Sequence, residues 1–166
     1  RIAYTEAWRH RVMERDAEGA ITALIELIPG YPARLAPTAE GGALLSVFAP
    51  RNRLIEFVLL EKHYREEMIA QIPREHWIAP ALSSGRSFLE PLQCGGIRTM
   101  GVHKPWSPSR SWGMVVRLDR QMNPIASWHS RANGHRHGVC SALEHVGQVV
   151  VAAKGGDAIL TLPVEG

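Results

Sequence analysis

One pattern returns along this chain, and it limits what the chain can become. RVMERDAEGAITALIEL (residues 11–27) and VVRLDRQMNPIASW (115–128) each hold a strand-like run ending in Asp, a short turn with Gly or Asn-Pro, and a second strand-like run. ARLAPTAEGGALLSVFA (33–49) and VCSALEHVGQVVVAAK (139–154) are of a second type: a strand-like run, a turn around Glu and Gly, then a more apolar run. AILTLPV closes the chain, and RIAYTEAW opens it as the tail of another second-type unit. Runs punctuated in this way predict antiparallel hairpins. A four-stranded unit, A–B then C–D, accounts for the order: the chain holds B–C–D, then A–B–insert–C–D, then A–B–C. The two A strands start about 106 positions apart, and removing an insert at about 50–109 leaves roughly 46, near the period of a propeller blade. A plain β-sandwich of hairpins is the rival arrangement. Strands near a propeller axis are buried on both faces, which suits continuous apolar runs such as ALLSVF and QVVVAA.

The insert differs in character. RNRLIEFVLLEKHYREEMIAQIP is built of helix formers, with Leu54, Val58, Leu59, Met68, Ile69 and Ile72 at helical spacing and Pro73 as a stop. Two short helices are expected within about 52–72, crossing one face of the sheets as a packed cover, a lid or a partner surface. IAPALSSGRSFLEPLQCGG, rich in Gly, Ser and Pro, reads as loop or irregular strand. Glu61, Glu66 and Glu67 oppose adsorption of these helices to an anionic lipid surface.

Composition narrows the function classes. A chain of 166 residues with net charge +3 and no Lys/Arg run is one domain with no nucleic-acid partner expected. The two cysteines, Cys94 and Cys140, form neither a disulfide framework nor a CxxC pair, so a cytoplasmic or membrane-associated location is favoured over a secreted one. No apolar run is long enough to span a bilayer, and no signal peptide is evident. The abrupt opening on RIAYTEAW reads as a piece of something longer.

Four of the eight histidines fall near the C-terminal end, with Cys140 among them. His135 and His137 lie two apart, which in extended chain puts them on one face about 6.5–7 Å apart. Arg136 stands between them, Arg131 is near, and no acidic third ligand is close in sequence, so no metal is expected. His129 and His145 read as solvated. His137 either hydrogen-bonds a neighbouring loop or lines a cleft. Cys140 and His137 do not read as nucleophile and base, because residues three apart on a strand face opposite ways. Cys140 instead reads as a small buried apolar residue. Trp8, Trp112 and Trp128 read as packing, and Ser46 and Ser141 lack a Gly-x-Ser-x-Gly context.

IPGYPARL, FAPRNRLIEFVL, WGMVVRLDRQMNPIASWHS and HGVCSALEHVGQVVVAAKGGDAI together resemble the C-terminal half of strictosidine-synthase-like proteins, six-bladed β-propellers related to gluconolactonases and paraoxonases. The insert is similar to that of a bacterial subgroup fused to an ABC-transporter permease. The resemblance implies an all-β fold: a partial propeller of about two and a half blades of a six-bladed ring, with a short helical insert. Residues 1–30 would end one blade, 31–130 would form a full blade carrying the insert, and 131–166 a last blade lacking its outer strand. The ring would be completed by a missing N-terminal half or by a second copy of the chain.

The resemblance also implies a small-molecule site at the axial mouth, in a lactonase-like hydrolase or a strictosidine-synthase-like lyase. Family members with lactonase activity hold an axial cation with an Asp-Asn pair after Gly-Tyr-Pro. Ala33-Arg34 stands there in this chain, and a cation is not expected beside Arg34. Cys140 falls where strictosidine synthase has its catalytic glutamate, and a thiol does not replace that carboxylate, so true strictosidine synthesis is not expected. The substrate-cleft candidates are Arg34, His135, His137 and Cys140, with no catalytic residue and no cofactor assigned. The alternative is a non-catalytic docking propeller, meeting the membrane only through a fused permease.

Overall fold

Hairpin turns with Asp at their start organise the chain into three antiparallel sheets. The computed structural model describes residues 1–74, 77–80, 93–94, 96–99, 102–105, 112–130 and 136–164. The first sheet holds β1 (Ile2–Glu6), β2 (Arg11–Arg15) and β3 (Ile21–Ile25). The second holds β4 (Gly30–Pro37), β5 (Ala43–Pro50), β10 (Met114–Leu118) and β11 (Pro124–His129), in the order β11-β10-β5-β4. The third holds β12 (Val139–His145), β13 (Gln148–Ala153) and β14 (Ala158–Pro163). The long insert leaves the second sheet after β5 and returns at β10. The two strands still pair directly, from Met114 opposite Val47 to Leu118 opposite Ala43. Within the insert lie α1 (Arg53–Leu60), α2 (Lys62–Gln71) and two short ladders, β6 (Ala79–Pro80) with β7 (Gln93–Cys94) and β8 (Gly96–Thr99) with β9 (Val102–Pro105). The Gly- and Ser-rich stretch read as loop lies largely outside the described residues.

The recurring Asp closes two turns in the same way. Asp16 Oδ1 accepts from Ala20 N at 2.7 Å, and Asp119 Oδ1 accepts from Asn123 N at 2.8 Å. In each, the Asp backbone N–H also donates to the carbonyl four residues on. One residue per turn is left-handed: Gly19 (φ 92°) in the first, Met122 (φ 66°) in the second. The corners that lead from β1 to β2 and from β13 to β14 also match. Each is one 3-10 turn, Ala7–Arg9 and Lys154–Gly156, followed by a left-handed residue, His10 or Asp157. These turns shorten the inner runs read from sequence: β1 ends at Glu6 rather than Trp8, and helical structure is not confined to 52–72.

The second sheet is sandwiched between the other two. From β5, Ala43, Leu45 and Val47 face the first sheet and meet Val12 and Ile28. Leu44 faces the third sheet and meets Val139, Ala142, Val149 and Val151. All seven residues Ala43–Ala49 are consequently buried. β13 departs from the continuous burial expected of QVVVAA: only Val149, Val151 and Ala153 are buried, because only one face of its sheet is covered. Each buried Leu or Val contributes about 1.5–3 kcal/mol by leaving water. Between the sheets, β1 lies on β4, and β12 on β4 and β5. Arg117 adds a polar tie from the second sheet to the third, 3.0 Å from Glu144 and 3.2 Å from Glu40.

The helices cover one end of this stack. Asn52 starts α1, accepting from Glu56 N through its carbonyl (2.8 Å) and from Ile55 N through Oδ1 (3.4 Å), as an N-cap side chain does. Ile55, Val58 and Leu59 turn inward, and Ile55 and Leu59 join Tyr31, Phe48 and Ala49 in a third apolar cluster. α2 buries Met68 alone, while Ile69 and Ile72, read as part of its inner face, are exposed.

Candidate functional site

The register places Gly30 opposite Pro50 and Pro37 opposite Ala43. The start of β4, the insert and the corner at His10 therefore share one end of the stack. Three elements converge there on the Glu56 carboxylate. The left-handed backbone at His10 (φ 52°) swings its ring inward, where it is 5 % exposed and lies 4.9 Å from the Tyr31 ring. His10 Nδ1 stands 2.8 Å from the Gly30 carbonyl. A carbonyl only accepts, so Nδ1 carries a proton. Nε2 faces both Glu56 oxygens, at 2.8 and 3.0 Å. One proton joins that pair, whichever partner owns it. Tyr31, fully buried, donates its hydroxyl to Glu56 Oε1 at 2.5 Å. With both nitrogens engaged, His10 is no general base in this state. Glu56, whose side chain is 28 % exposed, is the member that a ligand can reach.

Burial, and then the hydrogen bond to Glu56 and its negative charge, push the Tyr31 phenol well above its usual 10. The folded chain therefore keeps this proton where the unfolded chain releases it. Below pH 10 both states hold it and stability is unaffected; above pH 10 the unfolded state binds fewer protons and stability falls as pH rises. Urea unfolding midpoints measured from pH 9 to 11 should drop for the native chain. They should drop less for Tyr31→Phe, which has no phenolic proton to lose. Equal slopes in the two proteins would refute this account.

Arg34 is exposed on β4, at an irregularity where Ala33 and Arg34 add an extra residue between the Pro32–Val47 and Leu35–Leu45 pairs. The neighbouring Ala33 carbonyl accepts from Thr5 Oγ1. Cys140 is a half-buried free thiol on β12, displaced from the ladder between Val139 and Ser141, with Sγ 3.4 Å from the Ala152 carbonyl. β12 lies against β4, the strand that carries Arg34. His137 is fully buried ahead of β12, and its carbonyl accepts from Gly156 N at 3.1 Å. It does not share a strand with Cys140, whose Sγ is turned to a backbone carbonyl, so the strand alternation read from the sequence does not apply to the pair. His135 lies outside the described residues. His145 is exposed; His129 is exposed as well and pairs with Ser127 Oγ at 2.9 Å. Among the described residues no three His, Cys, Asp or Glu side chains are grouped to hold a metal ion, and no helix is long and apolar enough to cross a membrane.

Two features escaped the sequence reading. The His10–Tyr31–Glu56 group is one. Tyr31 lies within the Pro-Gly-Tyr-Pro corner, and Glu56 one turn beyond Ala-Pro-Arg-Asn, so both motifs point at it once the corner at His10 is known. The other is a cleft of about 610 Å³ at the opposite end, between the first and second sheets, lined by Ala3, Glu14, Leu24, Leu35, Arg120 and Met122 among others. No family model matches the chain, and neither does any curated protein or solved structure with which it was compared.

Proposed function

We propose that the three sheets are blades of a strictosidine-synthase-like propeller, and that a small molecule binds where their inner strands end beneath α1. The observation that carries this reading is the packing of the sheets near their leading strands: β1 on β4, and β12 on β4 and its neighbour β5. Sheets that meet along their first strands fan around a common line, and ligands collect at the mouth of such a fan. Arg34, an exposed cation on an irregular inner strand, favours a ligand with an anionic or strongly polar group. Strictosidine synthesis itself is not part of the proposal, because Cys140 offers no carboxylate. The test is titration of a polar lactone and its hydrolysed acid into the isotopically labelled chain. Binding should perturb signals of β4 and β12, and Arg34→Ala should weaken it at least about tenfold, or 1.4 kcal/mol. Turnover of the lactone would make the chain a hydrolase. Failure of both compounds to bind would remove the small-molecule reading.

A second reading, a docking propeller joined to a transporter permease, is favoured by the outer side of the helices. Phe57, Leu60, Tyr64, Ile69 and Ile72 are between 44 and 80 % exposed there. Exposed apolar clusters of this kind mark contact surfaces.

A further inference from the structure

We infer that the cleft between the first and second sheets, at the end of the stack away from the helices, binds a small carboxylic acid with an apolar body. Its volume is about 610 Å³, within the range of small-molecule sites. At about 30 Å³ for each atom of water size, that is room for about 20 non-hydrogen atoms. Strands β1 to β5 and the turn between β10 and β11 form its walls. Ala3, Leu24, Leu35 and Met122 supply apolar surface from four of these elements. The charged lining groups are Glu14, Arg1 and Arg120. Glu14 and Arg1 stand 3.5 Å apart and offset each other. Arg120 is left as the unbalanced cation of the cleft.

Two features of the β10–β11 turn set this cleft apart from a gap in packing. Arg120 Nε donates to the Glu40 carbonyl at 2.6 Å, which fixes the plane of the guanidinium. Its terminal nitrogens have no partner among the described residues. Held in this way, they present the two parallel N–H groups that a planar carboxylate accepts together. Met122 is the second feature. The matching turn after Asp16 puts glycine at its left-handed position, Gly19 (φ 92°), whereas methionine holds that position here (φ 66°). Glycine adopts this backbone freely and an L side chain does not. The strained residue lines the cleft, and backbone strain of this kind gathers at ligand sites. Arg120 also borders a second hollow of about 440 Å³. The carboxylates of Glu40 and Asp119 line that one beside Arg117, so an anion is directed to the first.

The probe is decanoate, titrated into the full chain with labelled methionine and leucine methyl groups. The Met122, Leu24 and Leu35 signals should shift and saturate. Decan-1-ol has the same body without the charge and should bind at least about tenfold more weakly. Arg120→Gln should weaken decanoate by a similar factor, and Arg120→Lys, which keeps the charge but loses the fork, by less. Met122→Gly should weaken it several-fold, read from the leucine signals. Circular dichroism of all three variants should match the native chain. Equal affinity for acid and alcohol, or for the native chain and Arg120→Gln, would overturn the proposal. So would the absence of any saturable shift. Shifts on β12 in place of these three residues would overturn it as well, and would favour the site beneath α1; the two sites lie at opposite ends, so either stands or falls without the other.

Discussion

Gly42→Ala is expected to destabilise the chain by about 3 kcal/mol, at the upper end of what overpacking costs. A Cβ at Gly42 would lie 2.0 Å from the Leu118 carbonyl oxygen and 3.1 Å from the Asp119 carbonyl carbon. Both atoms are backbone, so no side chain can swing aside. Gly42 also accepts from Thr38 N at 3.0 Å, and the next residue, Ala43, pairs with Leu118. Relief would require the turn before β5 to lift away from β10, opening the ladder that closes the second sheet across the insert. The neighbouring Gly41→Ala is the control. It meets only the Arg120 side chain, at 3.1 Å, and its φ of 89° costs an L-residue about 1 kcal/mol. Urea denaturation of the two variants should separate them by about 2 kcal/mol; equal midpoints would show that the turn yields freely.

Arg117→Met is expected to cost about 3 kcal/mol, because it leaves a carboxylate without its cation between two sheets. The Arg117 side chain is 11 % and that of Glu144 16 % exposed, whereas that of Glu40 is 79 % exposed and returns readily to water. Glu144 retains one donor, Ala39 N at 3.1 Å. Adding Glu144→Gln should recover part of the loss, since an amide at that place carries no charge. A double-mutant cycle should therefore give a coupling above about 1 kcal/mol. Strict additivity would mean that the two side chains are solvated independently and that the ion pair does not tie the sheets.

The strand pattern was legible because each hairpin is a local object. Asp16 and Asp119 close turns within four residues, so the sequence carries the whole cause. The helices were legible for the same reason: the spacing of Val58 and Leu59 and the stop at Pro73 are contained in one segment. The exposure of Ile69 and Ile72 was not, because helical spacing says which residues share a face and not whether anything lies against it. Burial of β13 failed similarly; VVV reads as two-sided burial, yet a neighbour covers one side only. The candidate site was least legible. His10, Tyr31 and Glu56 come from three elements, and they meet through a left-handed histidine that no composition or period announces. The histidine-rich segment, conspicuous in sequence, places His137 in the interior and leaves His145 in solvent.

The corner after β1 ties two distant parts of the chain to each other. A similar brief 3-10 turn follows β13, whereas β5 leads into the insert. The first helix of that insert reaches back with Glu56 to hold the histidine of the corner. The two segments therefore cannot be altered separately: trimming the insert leaves a buried imidazole without its carboxylate, and replacing the histidine deprives the helix of its anchor.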